Sequence, residues 1–325
     1  MKALLLGGTG AIGGYLQEEL AATGWEVLVT SRSARVSRNN VSFVLGNAQD
    51  LGFLEDVLNG RFDAVVDFMT WPQDKFTRAI DLMLSSTARY VFLSSYRVFA
   101  DAPVLTEASP RLLEVCPDEK YRAGDEYAIK KAREEDILRK SGKNNWTIAR
   151  PAITFSGEGS GRFQLGTYEK DIWLWRALNG RPIPVVPEMM ERQCTLTWAG
   201  DVAKMIVRLI VSPEAAGEAL NVSTAQHQSW GEVLDYYRAV LPIETYPVTL
   251  EQYESHCGRA LKEYGYIPQV RYDRMLNRVL DNTKTLSVCR LDQSDLSEIS
   301  EVLPRELHRY LKATPRFDVH PAVQG

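Results

Sequence analysis

Directly after the apolar run Leu4-Leu5-Leu6, the chain reads Gly7-Gly8-Thr9-Gly10-Ala11-Ile12-Gly13-Gly14. Gly7, Gly10 and Gly13 recur every third residue between a strand pattern, Lys2–Leu6, and a helix pattern, Gly13–Ala22. Glycine here permits a tight strand-to-helix turn and lets a ligand approach the main chain closely. The start of the following helix offers free N–H groups and the positive end of its dipole, which together suit a pyrophosphate. The spacing is GxxGxxG, shifted from the GxGxxG of the common dinucleotide fingerprint. We read the segment as a dinucleotide site in which Gly7, Thr9, Gly10, Ala11, Ile12 and Gly13 cradle the phosphates.

The rest of the first half supports that placement. Glu26–Thr30, Val41–Leu45, Ala64–Phe68 and Tyr90–Ser94 read as strands, with helical stretches at Leu51–Leu58 and Phe76–Ser85 between them. Near-continuous Val, Leu and Phe runs suit strands covered on both faces. The alternation predicts an α/β fold, a doubly wound parallel sheet with right-handed crossovers. A helix over Glu126–Ser141 and a sixth strand from Trp146 to Arg150-Pro151 complete this half. Beyond Pro151 the pattern loosens, with turn-rich stretches at Gly157–Gly161 and Asn179–Pro187, a helix at Ser229–Val240, and a polar last segment of irregular apolar spacing. Residues 1–155 plus about 195–225 are expected to form the dinucleotide-binding domain. Residues of about 156–194 plus 226–325 are expected to form a smaller C-terminal substrate-binding lobe.

Composition excludes several function classes. A formal net charge of −4 gives no general attraction to nucleic acid or an anionic membrane. No apolar run approaches the roughly 20 residues that cross a bilayer, and the N-terminus has no secretory pattern. Cys116, Cys194, Cys257 and Cys289 are scattered, as are the four histidines, so no metal site is expected and the thiols are read as reduced in a cytoplasmic protein.

NAD sites usually carry an Asp or Glu at the end of the second strand, accepting from the ribose 2′-hydroxyl. Here that strand ends Val29-Thr30-Ser31-Arg32. A guanidinium suits a 2′-phosphate, so Arg32 favours NADP over NAD. On the helix containing Glu126–Ser141, Tyr127 and Lys131 stand four residues apart, on one face. An ammonium beside a phenol favours phenolate, and such a tyrosine can exchange a proton with a carbinol or carbonyl. Ser94-Ser95 ends the preceding strand, at the carboxyl edge where open α/β sheets bind ligands.

With these pieces in place the chain resembles the extended short-chain dehydrogenase/reductases of the NAD-dependent epimerase/dehydratase type, which act mostly on nucleotide sugars. The matching motifs are the glycine turn, Phe92–Ala100 in place of SSxxVYG, Tyr127-Ala128-Ile129-Lys130-Lys131 with Glu134 following, Arg150-Pro151, Ala199–Ala203 and Leu220–Thr224. The resemblance implies a Rossmann fold in which Tyr127 is the acid/base, Lys131 holds the nicotinamide ribose and tunes Tyr127, and Ser95 hydrogen-bonds the reacting oxygen. It places Asn47 and Ala48 at the adenine, and Phe68, Met69, Thr70 and Pro151 along the cofactor channel. It implies a homodimer built on the helix of Tyr127.

Departures from the family pattern narrow the chemistry. The Thr-Asp-Glu run of many 4,6-dehydratases is Tyr96-Arg97-Val98 here, without a carboxylate. The family's second tyrosine is Phe99, and its YGP loop is Phe155-Ser156-Gly157. Tyr96, Arg97, Arg162 and Gln164 are candidate substrate contacts at the cleft mouth, an arginine being suited to a nucleotide-sugar diphosphate. Trp71, Trp173, Trp175 and Trp198 are read as core aromatics before stacking platforms. The expected activity is an NAD(P)-dependent epimerase or reductase acting on a sugar carbinol or ketone. The alternative is a non-catalytic dinucleotide sensor or RNA-associated relative, against which stands the joint presence of Ser95, Tyr127 and Lys131.

Overall fold

The computed structural model describes residues 1–256, 263–313 and 317. The chain opens with β1 (Lys2–Leu6), α1 (Ala11–Ala22), β2 (Glu26–Ser31), β3 (Val41–Leu45), α2 (Leu51–Leu58), β4 (Phe62–Asp67), α3 (Gln73–Ser85) and β5 (Thr87–Leu93). Two short helices, α4 (Leu112–Val115) and α5 (Glu119–Ala123), precede α6 (Tyr127–Arg139) and β6 (Trp146–Pro151). With the later strand Glu218–Val222, these strands form one seven-stranded parallel sheet in the order Glu218–Val222, β6, β5, β4, β1, β2, β3. It is a Rossmann-type α/β sheet, as the alternating pattern predicts.

Strand side chains alternate between two cores. Ala3, Leu5, Val27, Val29, Ala64 and Val66 point to the face covered by α1 and the helix Ala199–Val211. Leu4, Leu6, Val65, Phe92 and Ile148 point to the face covered by α2, α3 and α6. Burying both faces is what demands unbroken apolar strands, and Ala3 to Leu6 are fully buried. Trp71 joins this second face, fully buried. From β1 the chain steps outward to β2 and β3, then crosses back to β4 and onward to β6. The reversal opens a crevice at the carboxyl ends of β1 and β4, the usual ligand position in such sheets.

A third core draws on residues after Ser95, including Phe155, Phe163, Trp173, Trp230, Tyr237 and Leu307. Trp173 stacks on Tyr237 with ring centroids 4.3 Å apart, so it is a core residue, as is Trp230. The helix Trp230–Arg238 begins on a reciprocal cap between Ser229 and Glu232, which limits the expected Ser229–Val240 at its start. Two elements differ from expectation. A short strand, Ile153–Phe155, follows β6 and pairs in parallel with Leu196–Trp198. The polar-looking tail holds a 14-residue helix, Ile299–Lys312, that buries Ile299, Val302, Leu303, Leu307 and Tyr310 despite Pro304 in its interior.

Among the described residues no helix is long and apolar enough to cross a membrane, and no cluster of His, Cys, Asp or Glu could hold a metal ion. Cys116, Cys194 and Cys289 are free and buried, while Cys257 lies outside the described residues.

Candidate functional site

The glycine turn closes β1 onto α1. Gly7 adopts φ +70, a region that disfavours other residues, and its N–H donates to Thr30 Oγ1 at 2.9 Å. Gly13 has no such backbone need, but a Cβ there would collide with the Gly8 carbonyl. Gly10 caps α1 without any side-chain hydrogen bond, and no acid occupies the first turn. The helix start is therefore open to an anion. A cavity of about 470 Å³ lies against it, lined by Thr9, Gly10, Ala11 and Gly14 together with Arg35 and Arg38. Arg32 sits exposed just past β2 and does not line this cavity. The two cations that do were missed in the sequence, although Ser31–Arg38 carries three arginines as a visible signal. Arg38 is also paired with Glu18 at 3.2 Å in an exposed contact.

The ends of the neighbouring strands face this turn. Asn47 is exposed and its Oδ1 accepts from Gln49 N at 3.1 Å, while Ala48 is buried. Gln49 Nε2 donates to Thr70 O at 2.7 Å, tying this turn to the loop after β4. Met69 packs its sulfur over Gly7, where an added Cβ would lie 2.5 Å away. Phe68 faces the next cavity along.

That cavity is a cleft of about 320 Å³, and it brings together the side chains singled out in the sequence. Ser95, Tyr127 and Lys131 line it, with Ile12 and Phe68 on the glycine-turn side and Pro151 at the end of β6. Tyr96, Arg97, Arg162 and Gln164 also line it. Ser95 caps the 3-10 turn Tyr96–Val98, its Oγ accepting from Arg97 N at 3.2 Å, which leaves its own proton free to donate. Tyr127 opens α6 and is partly exposed to the cleft. Lys131 is buried, its Nζ donating to Met69 O at 2.6 Å and standing 3.0 Å from Glu134 Oε2.

Charged groups hold the serine loop from behind. Glu126 caps α6 by accepting from Ala128 N, and the same carboxylate takes Arg97 Nη2 at 2.6 Å. This sets the Arg97 guanidinium 5.4 Å from the centre of the Tyr127 ring, a cation over an aromatic face. The Glu126 and Asp273 carboxylates outweigh burial and raise the Arg97 pKa. Asp273 also binds the Tyr96 hydroxyl at 2.9 Å, and Arg274 donates to the same hydroxyl at 2.8 Å and to Gln164 Oε1 at 2.9 Å. Burial pushes the Tyr96 pKa well above that of an ordinary phenol. The Tyr96 hydroxyl and the Gln164 amide are thus engaged within the protein, and Arg162 is the lining cation with no ion pair among the described residues. Asp273 and Arg274 belong to a segment without any motif, so the sequence held no signal for them.

Ser94, beside Ser95, does a different task. Its Oγ donates to Glu135 Oε1 at 2.6 Å, and Glu135 holds Arg150 through Nε at 2.8 Å and Nη2 at 2.7 Å. Burial would raise the Glu135 pKa, but hydrogen bonding and charge from Arg150, with further help from Arg139 and Ser94, bring it down to about 2. The loop Gly157–Arg162 closes the site between its two cavities. Ser156 and Arg162 pair in a short antiparallel bridge, with Glu158, Gly159 and Ser160 against the glycine-turn cavity and Arg162 in the cleft.

A family model described as the NAD dependent epimerase/dehydratase family matches residues 3–223. The chain belongs to that family. No curated protein matches its sequence at a significant level. Solved structures share the fold at low identity. WbmH of Bordetella bronchiseptica, solved in complex with NAD+, is 16% identical with a TM-score of 0.69, covering 97% of this chain and 99% of its own. UDP-glucose 4-epimerase of Thermotoga maritima, solved with UDP-glucose, is 15% identical with a TM-score of 0.69, covering 96% and 99%. Pal of Bacillus thuringiensis is 16% identical with a TM-score of 0.70, covering 96% and 99%. The open helix start, the glycine that cannot carry a Cβ and the adjoining cavity fit the dinucleotide that the family description names.

Proposed function

We propose that this chain is an NAD(P)-dependent epimerase or reductase acting on a sugar carbinol or ketone, with a nucleotide sugar as substrate. The observation that carries this reading is the convergence of Ser95, Tyr127 and Lys131 on one cleft that continues from the glycine turn by way of Ile12 and Phe68. Gly7, Gly10 and Gly13 would hold the pyrophosphate of a dinucleotide, which would supply the hydride acceptor and donor for the carbinol carbon. Ser95 keeps its proton and donates a hydrogen bond to the reacting oxygen, stabilising charge there. Tyr127 takes the hydroxyl proton in oxidation and gives it back in reduction. Lys131 supplies positive charge in the same cleft, and the Arg97 guanidinium lies over the Tyr127 ring. The stretch Tyr96-Arg97-Val98 carries no carboxylate where dehydratases of the family have theirs, which favours epimerisation or reduction. Arg162, free of an ion pair among the described residues, is assigned to the substrate's anionic diphosphate.

NADP is the favoured cofactor. Two cations support this, Arg35 and Arg38 beside the glycine turn, with Arg32 the further candidate at the end of β2. The residues 1–155 plus about 195–225 serve the cofactor in this reading, and the remainder serves the substrate. The protein is assigned to the cytoplasm and to a homodimer. The test is calorimetry with NAD and NADP alongside turnover of Tyr127→Phe. The reading expects dinucleotide binding by both proteins and a loss of turnover by orders of magnitude in the variant. A wild-type protein that binds neither dinucleotide, or a variant that turns over normally, contradicts it.

A further inference from the structure

Lys131 is surrounded by groups that the exchange between Ser95, Tyr127 and substrate does not use. An ammonium carries three protons. Met69 O takes one at 2.6 Å, and Glu134 Oε2 lies 3.0 Å from Nζ on a second side. The Phe92 ring closes a third side, its centre 4.3 Å from Nζ. The open direction is the cleft, which Lys131 lines.

Glu134 is itself fixed. Its Oε1 accepts from Trp71 N at 2.8 Å, and Trp71 Nε1 donates to Asp67 Oδ2 at 2.8 Å. The same Asp67 carboxylate accepts from the Tyr90 hydroxyl at 2.6 Å and from Met69 N at 2.8 Å. One set of hydrogen bonds therefore joins α6, the end of β4, β5 and the loop Phe68–Trp71. Asp67, Glu134 and Lys131 are all buried, two carboxyl groups against one ammonium. Burial raises the pKa of both acids, and Lys131 opposes that rise in each. A carboxylate at this depth is costly unless it faces a cation, which ties the state of Glu134 to Lys131.

We propose that Glu134 is a positioning residue that aims the Lys131 ammonium into the cleft and anchors the Phe68–Trp71 loop, so that cofactor affinity depends on a side chain that does not touch the cofactor. The assignment rests on the dinucleotide reading above. Glu134→Gln keeps an acceptor for Trp71 N and removes the charge facing Lys131. It is expected to weaken dinucleotide binding roughly tenfold, the scale of one hydrogen bond to a charged group. In a Lys131→Met background the same change should weaken binding no further. Glu134→Asp, which keeps the charge on a shorter stem, should bind more tightly than Glu134→Gln and less tightly than wild type.

The measurement is titration calorimetry of wild type, both Glu134 variants, Lys131→Met and the two double variants with NADP and NAD. Unchanged affinity in Glu134→Gln overturns the proposal, as does an equal loss in the Lys131→Met background, which would mean that the effect runs through the loop alone. Should Glu134→Gln fail to fold, Glu134→Asp carries the test, and wild-type affinity in it overturns the proposal. Wild-type protein that binds neither dinucleotide contradicts the functional reading itself. Wild-type protein that binds while Glu134→Gln binds equally well contradicts only the role of Glu134.

Discussion

Glu135→Gln removes the charge on which the floor of the cleft is built. Glu135 Oε1 accepts from Ser94 Oγ and Arg150 Nε, and Oε2 accepts from Arg150 Nη2, Arg111 Nη1 and Arg139 Nη1. Arg150 is buried beside it, with Glu107 O as its remaining acceptor at 3.2 Å. Two routes give the size of the effect. Breaking one partner of a buried ion pair costs about 3–5 kcal/mol. A carboxyl brought from an ordinary 4.5 down to about 2 contributes on the order of 3 kcal/mol by linkage. Because the folded pKa is depressed, this stability is present above the unfolded value and is lost as pH falls from 4.5 towards 2. Urea unfolding of wild type and Glu135→Gln should therefore differ by about 3 kcal/mol near neutral pH and converge in acid. A double change, Glu135→Leu with Arg150→Met, should recover much of the loss. A single-variant cost below about 1 kcal/mol near neutrality would show the pair to be worth no more than a surface one and refute the reasoning.

Gly13→Ala should abolish dinucleotide binding, or fold poorly, because its Cβ meets the Gly8 carbonyl, whereas Gly14→Ala meets nothing within 4 Å and should fold as stably as wild type; calorimetry and thermal melts distinguish them. Arg38→Ala and Arg35→Ala should weaken NADPH by about tenfold or more while sparing NADH, as expected for a lost charge-assisted phosphate contact. If Arg32→Ala alone shows that selectivity, the 2′-phosphate is held at the end of β2 and not in the glycine-turn cavity.

The sheet was legible because burial on both faces leaves unbroken apolar strands, and the glycine turn because its backbone tolerates little else. Boundaries drifted where neighbours decide. β4 starts at Phe62 and ends at Asp67, not at Ala64 and Phe68, since Asp67 turns its carboxylate inward to Tyr90 and Trp71. The helix Ile299–Lys312 was hidden by an interior proline and by Glu306, a buried acid on its apolar face. That acid is satisfied by the Tyr15 hydroxyl at 2.7 Å and Gly157 N at 2.8 Å, partners 291 and 149 residues away along the chain. For the candidate site, Tyr127 and Lys131 were legible through their four-residue spacing, and Ser95 through its place at a strand end and the family resemblance. Asp273 and Arg274 were not, nor was the Trp71 partner of Glu134, because these come from what the tertiary fold places together.

The central claim is that Ser95, Tyr127 and Lys131 oxidise or reduce a sugar carbon with a bound nicotinamide. Its most direct test is a panel of nucleotide sugars incubated with the dinucleotide-loaded protein, following reduced-nicotinamide absorbance and product stereochemistry for wild type and Tyr127→Phe. The account predicts that at least one sugar is reduced or epimerised by wild type, with turnover lost by orders of magnitude in the variant while dinucleotide stays bound. Equal conversion by both proteins, or a loaded wild type that converts no sugar in the panel, would contradict it.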